Sequence, residues 1–462
     1  MTAPREPSPI PVLLSEQDLL VKYDVPGPRY TSYPTVPCWG ETPTEQAWVE
    51  SVRSALRGPA AVYVHVPFCR SLCTYCGCNT RITRKAVGAP YVATLLAEAG
   101  LLARRLGLER LPIGELHLGG GTPTFLSADE LASLIDGLAP VPAHGNGALS
   151  LEADPRVTTR EQLAVLAARG FTRLSLGVQD FDATVQTAIH RVQTEAQVRT
   201  VTETARALGF DGIGYDLVYG LPHQTLASIE ATIAAVVRLS PDRIAFYGYA
   251  HVPWVKKAQR GFEDSDLPLP ALRRRLYERG RELLAEAGYV AIAMDHFARP
   301  TDPLARAAAE GRLHRNFMGY TDQRTEPLIG LGASAIGDSG TAFAQNEKDL
   351  EPYVARVEAG ELPISRGHLL DREDRILREH ILALMTRYET RWQRGADTWT
   401  PFLESVGERL APMIEDRLVV LEPDRCRLTE RGRPFVRNAC MAFDARIARR
   451  APVSGPTFSR TV

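Results

Sequence analysis

"VYVHVPFCRSLCTYCGCN", residues 62–79, runs from a β-branched, aromatic stretch straight into four cysteines. "VYVHV" has the composition of a buried strand, and His65 within it reads by default as a hydrogen-bonded core histidine. Cys69, Cys73, Cys76 and Cys78 follow within ten positions, whereas Cys38, Cys426 and Cys440 lie far away in sequence. What a strand ending in clustered thiols can be decides how the rest of the chain is read.

A disulfide framework belongs to small secreted chains, and this one has 462 residues with cysteine concentrated in a single stretch. Structural zinc commonly takes two ligand pairs separated by a longer loop. Here the spacing is C-x3-C-x2-C-x-C with no second pair. Thiolates also hold iron–sulfur clusters. Cys69, Cys73 and Cys76 suffice for three irons of a four-iron cluster, leaving the fourth open to a ligand, as catalytic metal sites do.

Composition is that of an ordinary soluble globular protein. Hydrophobic residues are 44%, charged residues 24% and the formal charge is −1, so no generic nucleic-acid or membrane partner is implied. The start, "MTAPREPSPIPVLLSEQDLL", lacks the long apolar core of a secretion signal, and no apolar run approaches the roughly 18 residues of a membrane span. A cytoplasmic location is expected.

From about residue 60 to 300, strand patterns alternate with amphipathic helical ones. The strands are "AVYVHVPF", "ELHLGGG", "LSLEADP", "RLSLGVQDF", "GIGYDLVYGLP" and "RIAFYGYA", with "YVAIAMDHF" a candidate seventh. "PYVATLLAEAGLLARRLG", "TREQLAVLAARG" and "TEAQVRTVTETARALG" are helices ending at glycine. Such alternation predicts βαβ units and a parallel sheet, curled into a full or partial β/α barrel, with an open doubly wound sheet the alternative. Polar residues then fall at one end of successive strands. They are Cys69, the glycines 119–121, Glu152 with Asp154, Gln179 with Asp180, Asp216, and Ala250 with His251. In β/α barrels that end carries the chemistry. Glycines in "GGGTPT" let a ligand approach the backbone. Glu152 suits a cationic or hydroxyl-bearing group, and Gln179, Arg191 and Asp216 could fix further polar groups. Arg191 reads equally as a surface cation. "ALRRRLYERGRELLAEAG" reads as a solvated helix.

C-x3-C-x2-C with an aromatic residue (Tyr75) before the third cysteine resembles the signature of radical S-adenosylmethionine (SAM) enzymes. The stretches "KYDVPGPRYTSYPT", "LHLGGGTPTFLS", "EADPR", "YDLVYGLPHQT", "AMDHFARP", "LHRNFMGYT", "GLGASAIG" and "RNACMAFD" narrow the resemblance. From about residue 20 to the end, the chain is similar to the oxygen-independent coproporphyrinogen III oxidases. That resemblance implies an N-terminal arm and leading helix (1–55), a partial (β/α)6-type barrel with its extension (56–362) and a mainly helical C-terminal domain (363–462). It implies an anaerobic enzyme of porphyrin synthesis that converts two propionates of coproporphyrinogen III to vinyl groups, using one [4Fe–4S] cluster and two SAM molecules. Cys69, Cys73 and Cys76 match the cluster ligands. Tyr63, Gly120, Glu152 and Ile336 match the residues of the cluster-bound SAM. Tyr75, Gly121, Thr122, Gln179, Arg191, Asp216 and Ala250 match those of the second, and Cys78 matches an essential non-ligand cysteine. Two positions depart from the family: Tyr75 stands for phenylalanine and Met318 for glutamine. Arg29 of the arm is a candidate carboxylate clamp. "DRLVVLEPDRCRLTERG" reads as a hairpin wing on the helical domain. A monomer is expected, with an electron donor and a terminal acceptor that the sequence does not identify. The rival reading is a haem-binding chaperone on the same scaffold, a group described by the absence of both the arm and the Gly-Cys pair at 77–78.

Overall fold

All six expected barrel strands form in the computed structural model, which describes residues 14–141, 149–450 and 457–461. They are β1 (Ala60–Val66), β2 (Ile113–Gly120), β3 (Leu149–Ala153), β4 (Phe171–Gln179), β5 (Gly212–Tyr219) and β6 (Arg243–Gly248), parallel and adjacent in chain order. The helices Gly88–Leu106, Ala128–Leu138, Arg160–Ala167, Glu195–Ala207 and Leu226–Leu239 alternate with them. Side chains of Ser127, Thr159, Thr194 and Thr225 close capping boxes at the last four, satisfying otherwise orphaned N–H groups. Gly107, at φ +78°, ends the first helix in the left-handed conformation a side chain would strain. The first thirteen residues, where a secretion signal was looked for, lie outside the described part.

The largest core lies between the sheet and these helices, where Leu116, Leu151, Leu176, Ile213 and Ile244 meet Leu95, Leu134, Leu163, Val198 and Ile233. The sheet's other face is polar. Ala61, His117, Ser150, Ser175, Asp216 and Tyr247, one from each of β1–β6, line a single cavity of about 290 Å³. For β1 and β6 to share a cavity the sheet must curl, which excludes the flat doubly wound alternative.

The curl does not close. On the β6 side the expected seventh strand is an antiparallel hairpin, β7 (Val290–Ala291) and β8 (His296–Ala298). "YVAIAMDHF" is too short for the dozen-residue crossover that parallel pairing needs, so its two halves can only turn back on each other. After a small hairpin, β9 (His314–Asn316) and β10 (Gly319–Thr321), the chain crosses to the opposite edge. There β11 (Leu328–Leu331) pairs parallel with β1, and β12 (Ile336–Asp338), β13 (Ala342–Asn346) and β14 (Ile364–Leu369) add antiparallel strands. The result is a twelve-stranded open sheet with β14 and β7 at its edges.

A second core joins the C-terminal helices Arg372–Arg387, Val406–Glu415 and Val436–Ala442 to the arm, placing Leu19, Tyr23, Tyr30 and Tyr33 against Leu377, Leu410 and Phe443. The expected wing forms as a three-stranded antiparallel sheet in which Arg425–Leu428 lies between Glu389–Arg391 and Val419–Glu422. Among the described residues no helix is long and apolar enough to cross a membrane.

Candidate functional site

The cysteine loop leaves β1 at the end of the sheet where the parallel strands finish, and the surrounding structure pins it. Thr74 donates its N–H to the Ile189 carbonyl and its hydroxyl to that of Ala188, both at 3.0 Å. Gln259 Nε2 donates to the Tyr75 carbonyl at 3.0 Å, Lys256 Nζ to that of Cys78 at 3.0 Å, and His65 Nε2 lies 2.9 Å from that of Asn79. So pinned, Cys69, Cys73, Cys76 and Cys78 line one cavity of about 410 Å³. Gly120, Gly121, Thr122, Glu152, Gln179, Arg191 and Asp216 line it too.

All seven cysteines are free thiols. Burial pushes the Cys69 thiol up to about 11. Cys76 moves the other way, down to about 6, chiefly through the neighbouring Cys78 thiol, and Cys78 is raised well above the usual thiol value by Cys76 and by burial. Arg156 and Arg191 each bring a guanidinium nitrogen to 3.8 Å from Cys73 Sγ. A Cβ at Gly121 would stand 3.0 Å from Cys69 Sγ. Three thiols lining one cavity, with two cations beside Cys73 and a bare glycine beside Cys69, suit a bulky thiolate-held cluster rather than a single ion. Among the described residues, no three His, Cys, Asp or Glu side chains are grouped to hold a metal ion.

Glu152, next to the end of β3, lines the same cavity. Burial raises its carboxyl, but the His117 ring at 3.5 Å and the Gly120 N–H at 3.1 Å outweigh that and hold it below the usual range. His117 is oriented in turn by Ser150, Nδ1 to Oγ 2.8 Å. Asp216 on β5 has no such support. Burial, then the Glu152 charge, pushes it up to about 7, with Ser175 Oγ at 3.3 Å. Two carboxyl groups in one cavity therefore present different charge states near neutrality. Arg191 is buried rather than a surface cation, bonded to Asp154 at 3.2 Å and the Gly177 carbonyl at 2.6 Å. Gln179 sits at φ +67°, in a register irregularity of β4 opposite β5. Strain of this kind is characteristic of functional positions.

Three expected residues lie beside the thiol cavity rather than in its lining. Tyr63 bonds His65 Nδ1 at 2.9 Å and stacks on His117. Ile336 backs onto Gly330, the register partner of Tyr63 in β11. The Ala250 carbonyl accepts from Gln259 Nε2 at 3.1 Å, so the glutamine that holds Tyr75 also holds Ala250. Met318 packs with Tyr63, Leu328 and Ala335, in a different apolar cluster from Tyr75. Sequence reasoning missed His117, Arg156, Tyr247 and Gln259. For His117 a signal existed, since it lies one period-two step before Gly119 on the inward face of β2. Glu152, Asp216 and Tyr247 line both the thiol cavity and the barrel cavity, so the two spaces meet at these side chains.

Residues 63–236 match the Radical SAM superfamily. The oxygen-independent coproporphyrinogen III oxidase of Pseudomonas aeruginosa is 40% identical over 442 residues, covering 93% of this chain and 95% of that protein. Its counterpart from Escherichia coli K12 is 38% identical over 449 residues, covering 96% and 98%. The solved structure of the Escherichia coli coproporphyrinogen III oxidase, described as a radical SAM enzyme, superposes with a TM-score of 0.85 over 92% of this chain and 98% of that one.

Proposed function

The chain belongs to the oxygen-independent coproporphyrinogen III oxidases of the radical SAM superfamily, and on that premise we propose how its residues carry the reaction of haem biosynthesis. The substrate is coproporphyrinogen III, two of whose propionates become vinyl groups. Each conversion removes one hydrogen atom from the β-carbon, one carbon dioxide and one electron. That C–H bond is unactivated, so no carboxylate or histidine in the cavity could remove its hydrogen as a proton. When bound, a [4Fe–4S] cluster and SAM supply a 5′-deoxyadenosyl radical that can take it as an atom.

Cys69, Cys73 and Cys76 would hold the cluster, and the observation that carries this reading is that all three line one cavity together with Glu152. Tyr63, Gly120, Glu152 and Ile336 would hold the cluster-bound SAM, with ionised Glu152 accepting from its ammonium or ribose. Tyr75, Gly121, Thr122, Gln179, Arg191, Asp216 and Ala250 would hold a second SAM. His117 fixes the Glu152 carboxylate from below. Cys78, which lines the same cavity, would meet substrate rather than ligate iron. The electron leaves to an acceptor outside the chain.

Reconstituted anaerobically with SAM and reductant, the enzyme should convert coproporphyrinogen III deuterated at the propionate β-carbons to divinyl product through a one-vinyl intermediate. Deuterium should appear in 5′-deoxyadenosine. Vinyl product without label transfer would place the radical elsewhere. No vinyl product from fully clustered protein would remove the oxidase reading altogether.

A further inference from the structure

Arginines gather at the seam between the barrel and the C-terminal core. Arg29 of the arm, Arg273 of the helix Pro270–Glu286, Arg315 of β9 and Arg437 of the helix Val436–Ala442 lie close enough for their charges to bear on one another. Asp295 is the carboxylate facing Arg29 and Arg315, and it is already engaged by His296 Nδ1 at 2.7 Å. Backbone carbonyls satisfy part of the set. Arg437 donates to Pro28 and Arg460, each at 2.8 Å, and to Gly27, which makes it a structural tie. Arg29 donates to the Gly248 carbonyl at 2.5 Å and Arg273 to that of Tyr249 at 3.0 Å.

Arg315 is different. It is 7% exposed, lies over the Tyr320 ring with its carbon 4.4 Å from the centroid, and has no hydrogen-bond partner at Nε or Nη1. Buried guanidinium nitrogens left without acceptors cost folding free energy, and a ligand that supplies those acceptors is one reason a fold retains them. Its surroundings indicate where that ligand comes from. Tyr247, His296 and Tyr320 form a wall of the barrel cavity, and Tyr247 lines the thiol cavity as well. Arg315 backs this wall, over Tyr320 and with its charge acting on Tyr247.

We propose that Arg315, with Arg29 beside it, binds a carboxylate of the macrocyclic substrate, a propionate reaching past Tyr247 while another side chain lies at the thiol cavity. This rests on the functional reading above. A tetracarboxylate must have its outer charges neutralised wherever it is drawn out of water, and guanidinium is the side chain whose geometry matches carboxylate. The methionine carboxylate of SAM is the competing source of the same chemistry, and the test separates the two.

The experiment uses full-length, cluster-reconstituted protein and the stable porphyrin probes coproporphyrin III and its tetramethyl ester, which share a ring and differ in charge. Wild type should prefer the acid. Arg315→Gln should lose about tenfold or more of affinity for the acid, as expected when a charge-assisted bond goes, with the ester unchanged. Arg315→Lys should recover part of the preference, and SAM cleavage without substrate should keep its KM for SAM. Several results would overturn the site. An undiminished preference for the acid in Arg315→Gln would do so, as would a lower melting temperature with the preference intact, or a raised KM for SAM with porphyrin binding intact. If Arg315→Gln does not fold, Arg315→Lys decides, an unaltered preference and KM for coproporphyrinogen counting against the proposal. Wild type that neither binds coproporphyrin III nor forms vinyl product would instead sink the functional reading.

Discussion

Cys78 is exposed, and it lines the thiol cavity together with Cys69, Cys73 and Cys76. The four thiols should therefore separate on mutation. Serine at 69, 73 or 76 should abolish iron binding, because a hydroxyl is a poor donor to iron in place of a thiolate. Cys78→Ser leaves the three ligand cysteines in place, so iron content and colour should stay near wild type while turnover falls by about 100-fold or more. Iron analysis beside an anaerobic product assay reads both, and loss of iron from Cys78→Ser would overturn the ligand set. The spacing made the triad and the surplus cysteine legible. It could not reveal that Arg156 and Arg191 converge on Cys73, since a guanidinium 83 or 118 positions away reaches the thiol only through the fold.

The hairpin of β9 and β10 carries the element-scale case, because neither strand was expected and both border functional space. His314 on β9 is 9% exposed. Burial first, and then the charges of Arg324 and Arg378, push its pKa down to about 4 from 6.5. The sign follows directly. Between pH 6.5 and 4 the unfolded chain binds a proton that the native one refuses, so stability is lost as pH falls through that window. The contribution is at most about 3 kcal/mol. Urea midpoints should fall less steeply between pH 7 and 4.5 in His314→Gln than in wild type, and parallel slopes would exclude His314 as the cause. The hairpin escaped sequence reading because "LHRNFMGYT" has neither a sustained period of two nor the apolar density of the barrel strands. Only its docking between barrel and C-terminal core, as in the Tyr320 hydroxyl donating to the Met385 carbonyl at 2.9 Å, holds it extended.

At the scale of the whole molecule, the arm is one of the connections between barrel and C-terminal core. Its Tyr30 and Tyr33 are 4% and 2% exposed and pack with the C-terminal helices. Tyr30 donates to Asp444 at 3.0 Å, and Tyr33 Oη accepts from the Ala445 N–H at 3.2 Å. Arg29, between them and the barrel, bonds the end of β6. Tyr33→Ala should cost about 3–5 kcal/mol and Tyr33→Phe about 1. Denaturant unfolding measures both, and a near-neutral Tyr33→Ala would mean the arm merely rests on the surface. Deleting residues 1–35 should abolish decarboxylation, in part because the C-terminal core loses its tyrosines.

Six strands, their parallel order, the cysteine triad and the polar strand ends were legible from sequence, because each rests on local periodicity or short-range spacing. Buried β-branched runs alternating with capped amphipathic helices leave few arrangements but a parallel sheet. The openness of the barrel, the strands added beyond β1 and the burial of Arg191 were decided by tertiary structure. So was the meeting of Arg29, Arg273, Arg315 and Arg437. The reason is common to all of these: a side chain's burial and partners depend on which distant segment packs against it, and a pattern read along one chain contains no term for that contact.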